Sequence, residues 1–280
     1  MSSRIVLITG CSTGIGRALT EACVARGDTV IATARRLESL SDLQHERIKR
    51  FALDVNDASA IASLVRELEQ QIDHIDLLIN NAGYAAMGPV VELSRETLLR
   101  QFDTNVFAPV EVTRQLLPLL ERSTKAQVVN VGSVSGILTT PFSGAYCATK
   151  AALHSLSDAM RMELAPFGIE VVVVQPGAIR SSFGDTSLAG VSDLLADDSR
   201  YKKVEKNIQD RAVASQQNPT TAEDFSTQLL DSLAGKHGPV IRVGNGSTAL
   251  PMMKRWLPLS LLDKILSKKF GLKALKQTRR

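Results

Sequence analysis

A doubly wound α/β domain on a parallel sheet is the fold class this sequence predicts. Short β-branched apolar runs alternate with segments of helical periodicity from residue 4 to about residue 243. A glycine-rich turn joins the first such run to the first helical segment. The chain has 280 residues, 44% hydrophobic and 22% charged, which is an ordinary globular composition with enough length for a large core.

The run Arg4-Ile5-Val6-Leu7-Ile8-Thr9 suits a parallel strand buried on both faces. Gly10-Cys11-Ser12-Thr13-Gly14-Ile15-Gly16 follows at once, and then a helical pattern through Ala18, Leu19, Ala22, Cys23 and Val24. A turn of this kind brings backbone N–H groups and a positive helix terminus up to a phosphate, so a nucleotide is expected there. The spacing is Gly-x-x-x-Gly-x-Gly rather than the commoner Gly-x-Gly-x-x-Gly. Gly27-Asp28 ends the helix, and Thr29 to Thr33 reads as the second strand. Where a dinucleotide fold usually places an acidic residue for the ribose, this chain has Ala34-Arg35-Arg36. A carboxylate there would repel a 2′-phosphate, whereas a guanidinium holds one in a charge-assisted pair. NADP(H) is therefore expected over NAD(H).

Residues 48–55 read as a third strand, with Asp54 and Val55 at the carboxyl end where an adenine would lie. A helix marked by Ile61, Leu64, Val65 and Leu68 leads to a fourth strand, Ile75 to Ile79. Asn80-Asn81-Ala82-Gly83 then falls at the sheet edge where ligands of open α/β sheets bind. Residues 94–121 read as one or two helices. Asn105 near their middle is a poor helix former, so it marks a kink or a functional polar group. Gln127 to Val131 makes a fifth strand ending at Gly132-Ser133, and a helix over about 145–167 follows. Glu170 to Gln175 is a sixth strand, closed by Pro176-Gly177.

Tyr146 and Lys150 stand four residues apart and so share a helix face. A phenol is a poor base at neutral pH, but a fixed ammonium beside it favours the phenolate. With the Ser133 hydroxyl to hold a substrate oxygen, the three form a compact acid/base set.

With these motifs placed, residues 4–245 resemble the short-chain dehydrogenase/reductase family. Thr9-Gly10-x-x-x-Gly14-x-Gly16, Asn80-Asn81-Ala82-Gly83 and Pro176-Gly177 match its cofactor motifs, and Asn105, Ser133, Tyr146 and Lys150 its catalytic tetrad. The resemblance implies a three-layer, Rossmann-type sheet of about seven strands, the last over residues 238–243. It also implies NAD(P)-linked interconversion of an alcohol and a carbonyl. Tyr146 would be the general acid or base, Ser133 would hold the substrate oxygen, Lys150 would bind the nicotinamide ribose and lower the Tyr146 pKa, and Asn105 would anchor a water. Ser12, Thr13, Ile15, Asp54, Val55, Asn81, Ala82, Gly83 and Ile179 would line the cofactor. Ser181 stands where the family often has Thr, and Arg35 matches the NADP-preferring branch. A homodimer or homotetramer is implied, through helices around 105–121 and 145–167.

Residues 183–221 follow the sixth strand as a long, partly helical insertion, the expected substrate lid. Ile137, Leu138, Leu188, Leu194 and Leu195 should make apolar walls, and Phe142 should touch the substrate. A lipophilic ketone, aldehyde or alcohol is expected, and the pattern is similar to members acting on steroids, retinoids and acyl-glycerone phosphates. Arg200 and Arg211 leave a phosphorylated or dicarboxylate substrate open.

Nine Lys and Arg and one Asp fall in residues 249–280, a net of +8, leaving residues 1–248 at −4. Residues 1–248 therefore read as the catalytic domain, with a basic, amphipathic extension behind it, and nucleic-acid binding by the body is not expected. Leu261, Leu262, Ile265, Leu266 and Phe270 recur at helical spacing beside Trp256, Lys264 and Lys268. Such a helix either packs over the substrate cleft or a partner subunit, or rests on an anionic membrane. No apolar run reaches the roughly 20 residues of a membrane span. No secretory signal follows Met1, so a cytoplasmic location is expected. Cys11, Cys23 and Cys147 have no metal-ligand spacing and the four histidines no cluster, so no metal site is expected and each histidine reads as surface or helix packing. Against the oxidoreductase reading stands a non-catalytic NADP(H)-binding regulator or membrane scaffold on the same fold, which would not need both Tyr146 and Lys150.

Overall fold

Seven of the apolar runs become strands in the protein's computed structural model, which describes residues 3–275 apart from the side chain at position 193. They are β1 (Ile5–Ile8), β2 (Thr29–Ala34), β3 (Ile48–Ala52), β4 (Leu77–Asn80), β5 (Ala126–Val131), β6 (Ile169–Pro176) and β7 (Val240–Val243). All pair in parallel, in the order β3-β2-β1-β4-β5-β6-β7. The order reverses between β1 and β4, so a crevice opens at their carboxyl ends.

Alternation along each strand divides the core. Val6 and Ile8 of β1, with Leu77 and Ile79 of β4, face the helices α1 (Gly14–Ala25) and, late in the chain, Ala222–Ala234, where Leu19, Cys23, Phe225 and Leu229 meet them. Leu7 and Leu78 face the other way. There they meet Ile61, Leu64 and Leu68 of α2 (Ala58–Glu69) and, beyond α3 (Arg95–Phe102), Val112, Leu116 and Leu119 of α4 (Ala108–Glu121). Asp57 caps α2, its carboxylate accepting the N–H groups of Ser59 at 2.8 Å and Ala60 at 3.1 Å. Between α3 and α4 the chain makes a π turn over Asp103–Phe107, with Asn105 inside it.

The helix carrying Tyr146 is α5 (Gly144–Leu164). The lid contains α6 (Phe183–Leu194) and α7 (Glu205–Ala212), and α8 (Ala222–Ala234) returns the chain to the sheet. The extension forms α9 (Ala249–Trp256) and α10 (Leu259–Lys269), and its residues 276–280 lie outside the described residues. The expected single apolar stripe of this tail is split. Leu262 and Phe270 are buried, and Leu266, Leu272 and Leu275 pack with Phe270 against the lid, whereas Trp256 is 70% exposed and Leu259, Leu261 and Ile265 also face outward. Among the described residues no helix is long and apolar enough to cross a membrane.

Candidate active site

The glycine-rich turn is braced from the sheet edge. The Thr9 hydroxyl accepts the N–H groups of Asn81 and Ala82, both at 3.0 Å, while the Asn81 amide donates to the carbonyls of Thr9 at 2.9 Å and Gly10 at 3.1 Å. Asn81 therefore shapes the turn, and only Gly tolerates position 16, where a β-carbon would run into the Gly10 carbonyl. Thr13 gives α1 no side-chain cap, and its hydroxyl accepts a hydrogen bond from Ser182, just before the lid, at 2.8 Å. Ile15 turns its side chain into the core.

Beside the turn is a cavity of about 480 Å³ lined in part by Ser12, Thr13, Arg17, Arg35, Arg36 and Ser39. Arg17 is already paired with Glu21 and Asp42. Arg35 and Arg36 have no carboxylate within 4 Å among the described residues, which leaves two guanidinium groups for an anion. The exposed Asp54 and the buried Val55 lie just beyond β3, which ends at Ala52. Gly83 passes close to both Asn105 and Lys150. Gly177 and Ile179 lie where β6 leaves the sheet, and Ser181 packs on Gly14. The turn and the uncapped helix fit the pyrophosphate of a nicotinamide dinucleotide.

Ser133, Tyr146, Lys150 and Asn105 converge at the same edge, all of them buried. Ser133 Oγ accepts the Ser135 N–H at 3.0 Å, which leaves its own proton to donate. Lys150 Nζ donates to the Val131 carbonyl at 2.7 Å and lies 5.9 Å from the centre of the Tyr146 ring. Burial pushes the Tyr146 phenol up to about 12, against a hydrogen bond from Ser133 that lowers it. Burial also pulls the Lys150 ammonium down to about 8. The expected lowering of the phenol by Lys150 is not seen in this arrangement, because Lys150 is directed at Val131 and burial dominates. Asn105 also serves as a brace. Its amide donates to the Tyr84 carbonyl at 2.8 Å and the Thr149 hydroxyl at 3.1 Å, and its oxygen accepts the Tyr84 N–H at 3.1 Å.

The sequence reading assigned His154 to packing, but its packing is at the catalytic centre. One turn beyond Lys150, its ring fills the space over Gly132 and Gly136, where a β-carbon on either glycine would overlap it. Its Nε2 accepts the Ser133 backbone N–H at 3.4 Å. Burial, and then the charge of Lys150, push the imidazole down to about 4, so it is neutral at pH 7 and able to accept. Its spacing from Lys150 was visible in the sequence, although its contact with the turn was not. A buried polar chain also went unread. The Asn80 amide donates to the Asn130 side chain at 2.8 Å, and Asn130 donates to Ser157 at 2.9 Å, tying β4 and β5 to α5.

The lid closes this edge with apolar side chains. Tyr146 lies 5.5 Å from the Phe183 ring, Phe142 meets Tyr201 edge-on at 6.1 Å, and Met87, Val191, Leu195 and Phe270 join them. Phe142 sits at φ +67°, a conformation that costs a bulky residue about 1–3 kcal/mol and holds its ring inward. Leu138 is also buried, but Leu188, expected in the wall, is 38% exposed and lies on the outer side of α6. Among the described residues no cluster of His, Cys, Asp and Glu is suited to a metal.

Residues 4–190 match the family model described as short chain dehydrogenase. An uncharacterized oxidoreductase of Bacillus subtilis, YusZ, is 32% identical over 96% of this chain and 99% of its own. The NADPH-dependent 3-dehydrocapnine reductase of Ornithobacterium rhinotracheale is 33% identical over 67% of this chain and 69% of its own. The crystal structure of a short-chain dehydrogenase from Streptomyces avermitilis superposes with a TM-score of 0.79 at 31% identity, covering 98% of this chain and 97% of that one.

Proposed function

Because the chain belongs to the short-chain dehydrogenase family and is an oxidoreductase of it, we propose that it is an NADP(H)-dependent reductase interconverting a carbonyl and an alcohol on a lipophilic substrate, with Tyr146 as general acid/base. The observation that carries this reading is the convergence of Ser133, Tyr146 and Lys150 at the sheet edge that also bears the glycine-rich turn, whose cavity holds two arginines without carboxylate partners.

When bound, the nicotinamide supplies or accepts the hydride. Gly10, Ser12, Thr13, Gly14, Gly16 and the first turn of α1 hold the pyrophosphate in this reading, Arg35 and Arg36 the 2′-phosphate, and Asp54 and Val55 flank the adenine. Ala82, Gly83, Pro176, Gly177, Ile179 and Ser181 line the rest. The NADPH dependence of the Ornithobacterium rhinotracheale reductase supports the same choice. In reduction, Ser133 donates to the substrate oxygen and Tyr146 gives it a proton as negative charge develops there. A phenol near 12 is fully protonated at pH 7, ready as an acid and resistant to acting as a base. The same site catalyses both directions, and the NADP(H) preference alone leans towards reduction. Lys150, still cationic at neutral pH, positions the ribose. Asn105 acts through its hold on Tyr84 and Thr149, with a bound water continuing the relay.

The apolar wall from Phe142, Phe183 and Leu195 supports a lipophilic substrate of the steroid, retinoid or acyl-lipid kind. The outward Trp256, Leu259, Leu261 and Ile265, among Lys254, Arg255 and Lys264, support residues 249–280 as an extension of a 1–248 catalytic unit that rests on an anionic membrane. A cytoplasmic enzyme would meet such a surface peripherally. Exposed Phe107 on the π turn before α4, with Leu156 and Met162 on α5, supports a homodimer or homotetramer through these helices. NADPH oxidation, followed by absorbance against hydrophobic ketones and aldehydes, tests the reading. Turnover of at least one supports it, and tight NADPH binding with no turnover on any overturns it.

A further inference from the structure

We infer that Arg211 anchors an oxyanion carried by the substrate, so that the enzyme acts on apolar-chain ketones or alcohols bearing a carboxylate or phosphate near the reacting carbon. The inference rests on the reductase reading above and names the substrate class of the same site.

The basic side chains of the lid are not equivalent. Lys202 pairs with Asp197 and Glu205, and Lys206 pairs with Asp210, all on the surface. Arg211 points the other way. Its neighbours on α7, Ile208 and Ala212, are buried in the apolar cluster that contains Tyr146. Its Nε donates to the Thr140 hydroxyl at 2.7 Å, and Thr140 is in turn hydrogen-bonded to Ser143, at the start of the helix that carries Tyr146. The guanidinium is thus tied to the loop that presents Phe142. Its two terminal nitrogens have no hydrogen-bond partner, and no carboxylate lies within 4 Å, among the described residues.

A guanidinium keeps its charge under all ordinary conditions, and taking it out of water without a counter-ion is costly. Burial depresses the Arg211 pKa, and its charge reaches the Tyr146 phenol, which it lowers. The cation stands at the edge of the apolar cluster that contains Tyr146, with a planar fork of donors left for a ligand. Carboxylate and phosphate match that fork bidentately. A neutral ketone would leave the donors unsatisfied. Discrimination follows where the bound substrate covers the half-buried guanidinium, because a cation then left unpaired rejects the substrate lacking the partner.

The test uses the full chain and two matched pairs: a long-chain 3-oxo acid with its methyl ester, and a long-chain acyl ester of dihydroxyacetone phosphate with its dephosphorylated ketone. The wild type is expected to prefer the oxyanion member of one pair in kcat/KM, and the preferred pair distinguishes carboxylate from phosphate. In Arg211→Met the ratio of acid to neutral twin should fall about 30-fold or more, mainly through KM, and Arg211→Lys should restore part of it. A ratio unchanged by Arg211→Met, or a wild type that favours the neutral members of both pairs, overturns the inference. A second measurement does not depend on turnover. Dodecanoate and dodecyl phosphate are titrated calorimetrically into the protein with NADP⁺ present, and binding of at least one should weaken about 30-fold or more in Arg211→Met. Equal binding by both proteins, or none by the wild type, overturns it. Loss of binding in the variant without turnover of any ketone would support Arg211 and count against the reductase reading instead.

Discussion

Replacing His154 with Gln should remove one defined part of the protein's acid sensitivity. The folded imidazole is pushed down to about 4 from an ordinary 6.5, chiefly by burial over Gly132 and Gly136. Between these values the unfolded chain binds a proton that the folded chain refuses. The contribution is therefore complete above pH 6.5 and is lost as pH falls through 6.5 towards 4. A group with these two pKa values costs about 2 kcal/mol of stability between pH 7.5 and pH 5, and about 3 kcal/mol by pH 4. Other groups titrate in the same range, so the readout is the difference between wild type and His154→Gln in urea unfolding at pH 7.5 and pH 5. The variant can still accept the Ser133 N–H through its amide oxygen but carries no titrating proton. Its stability should fall by about 2 kcal/mol less than that of the wild type over that range. Parallel losses in the two proteins would refute a buried, neutral His154.

Ala34→Asp combined with Arg35→Ala should weaken NADPH binding about 100-fold by removing a cation and adding a repelling carboxylate, with NADH changed only a few-fold. Equal effects on the two cofactors, measured by fluorescence titration, would reject the 2′-phosphate assignment. Binding to anionic liposomes at low salt should weaken with added salt and fall at least ten-fold in Trp256→Ser/Leu259→Ser, whose side chains face outward and leave the lid contacts of Phe270 intact. No sedimentation with liposomes at low salt would reject the membrane surface.

The sheet was legible because a parallel strand buried on both faces writes itself as a short β-branched run, and because the glycine turn follows the first run without a gap. The residues Ser133, Tyr146 and Lys150 were legible as a pattern, and parallel pairing of β5 with its neighbours brings them to one edge. Contacts that depend on long-range packing were not. The partners of His154, Gly132 and Gly136, precede it by some twenty residues, and nothing local marks their approach. Arg211 and Arg200 look alike in the sequence, but only Arg211 folds inward, to Thr140. The tail misled for the same reason, since helical spacing gathers Leu261, Leu262, Ile265 and Phe270 into one stripe. Of these, Leu262 and Phe270 are buried, as Leu266 partly is beside Phe270, while Leu261 and Ile265 face outward. Lys150 lies near Tyr146, as its spacing implies, but spacing could not reveal that the Val131 carbonyl accepts a hydrogen bond from it.

Tyr146→Phe, which deletes one hydroxyl and keeps the ring against Phe183, tests the proton-transfer role most directly. With a ketone the wild type reduces, kcat should fall at least about 1,000-fold while NADPH binds within a few-fold of wild type. A variant that keeps near-normal kcat would contradict Tyr146 as the acid.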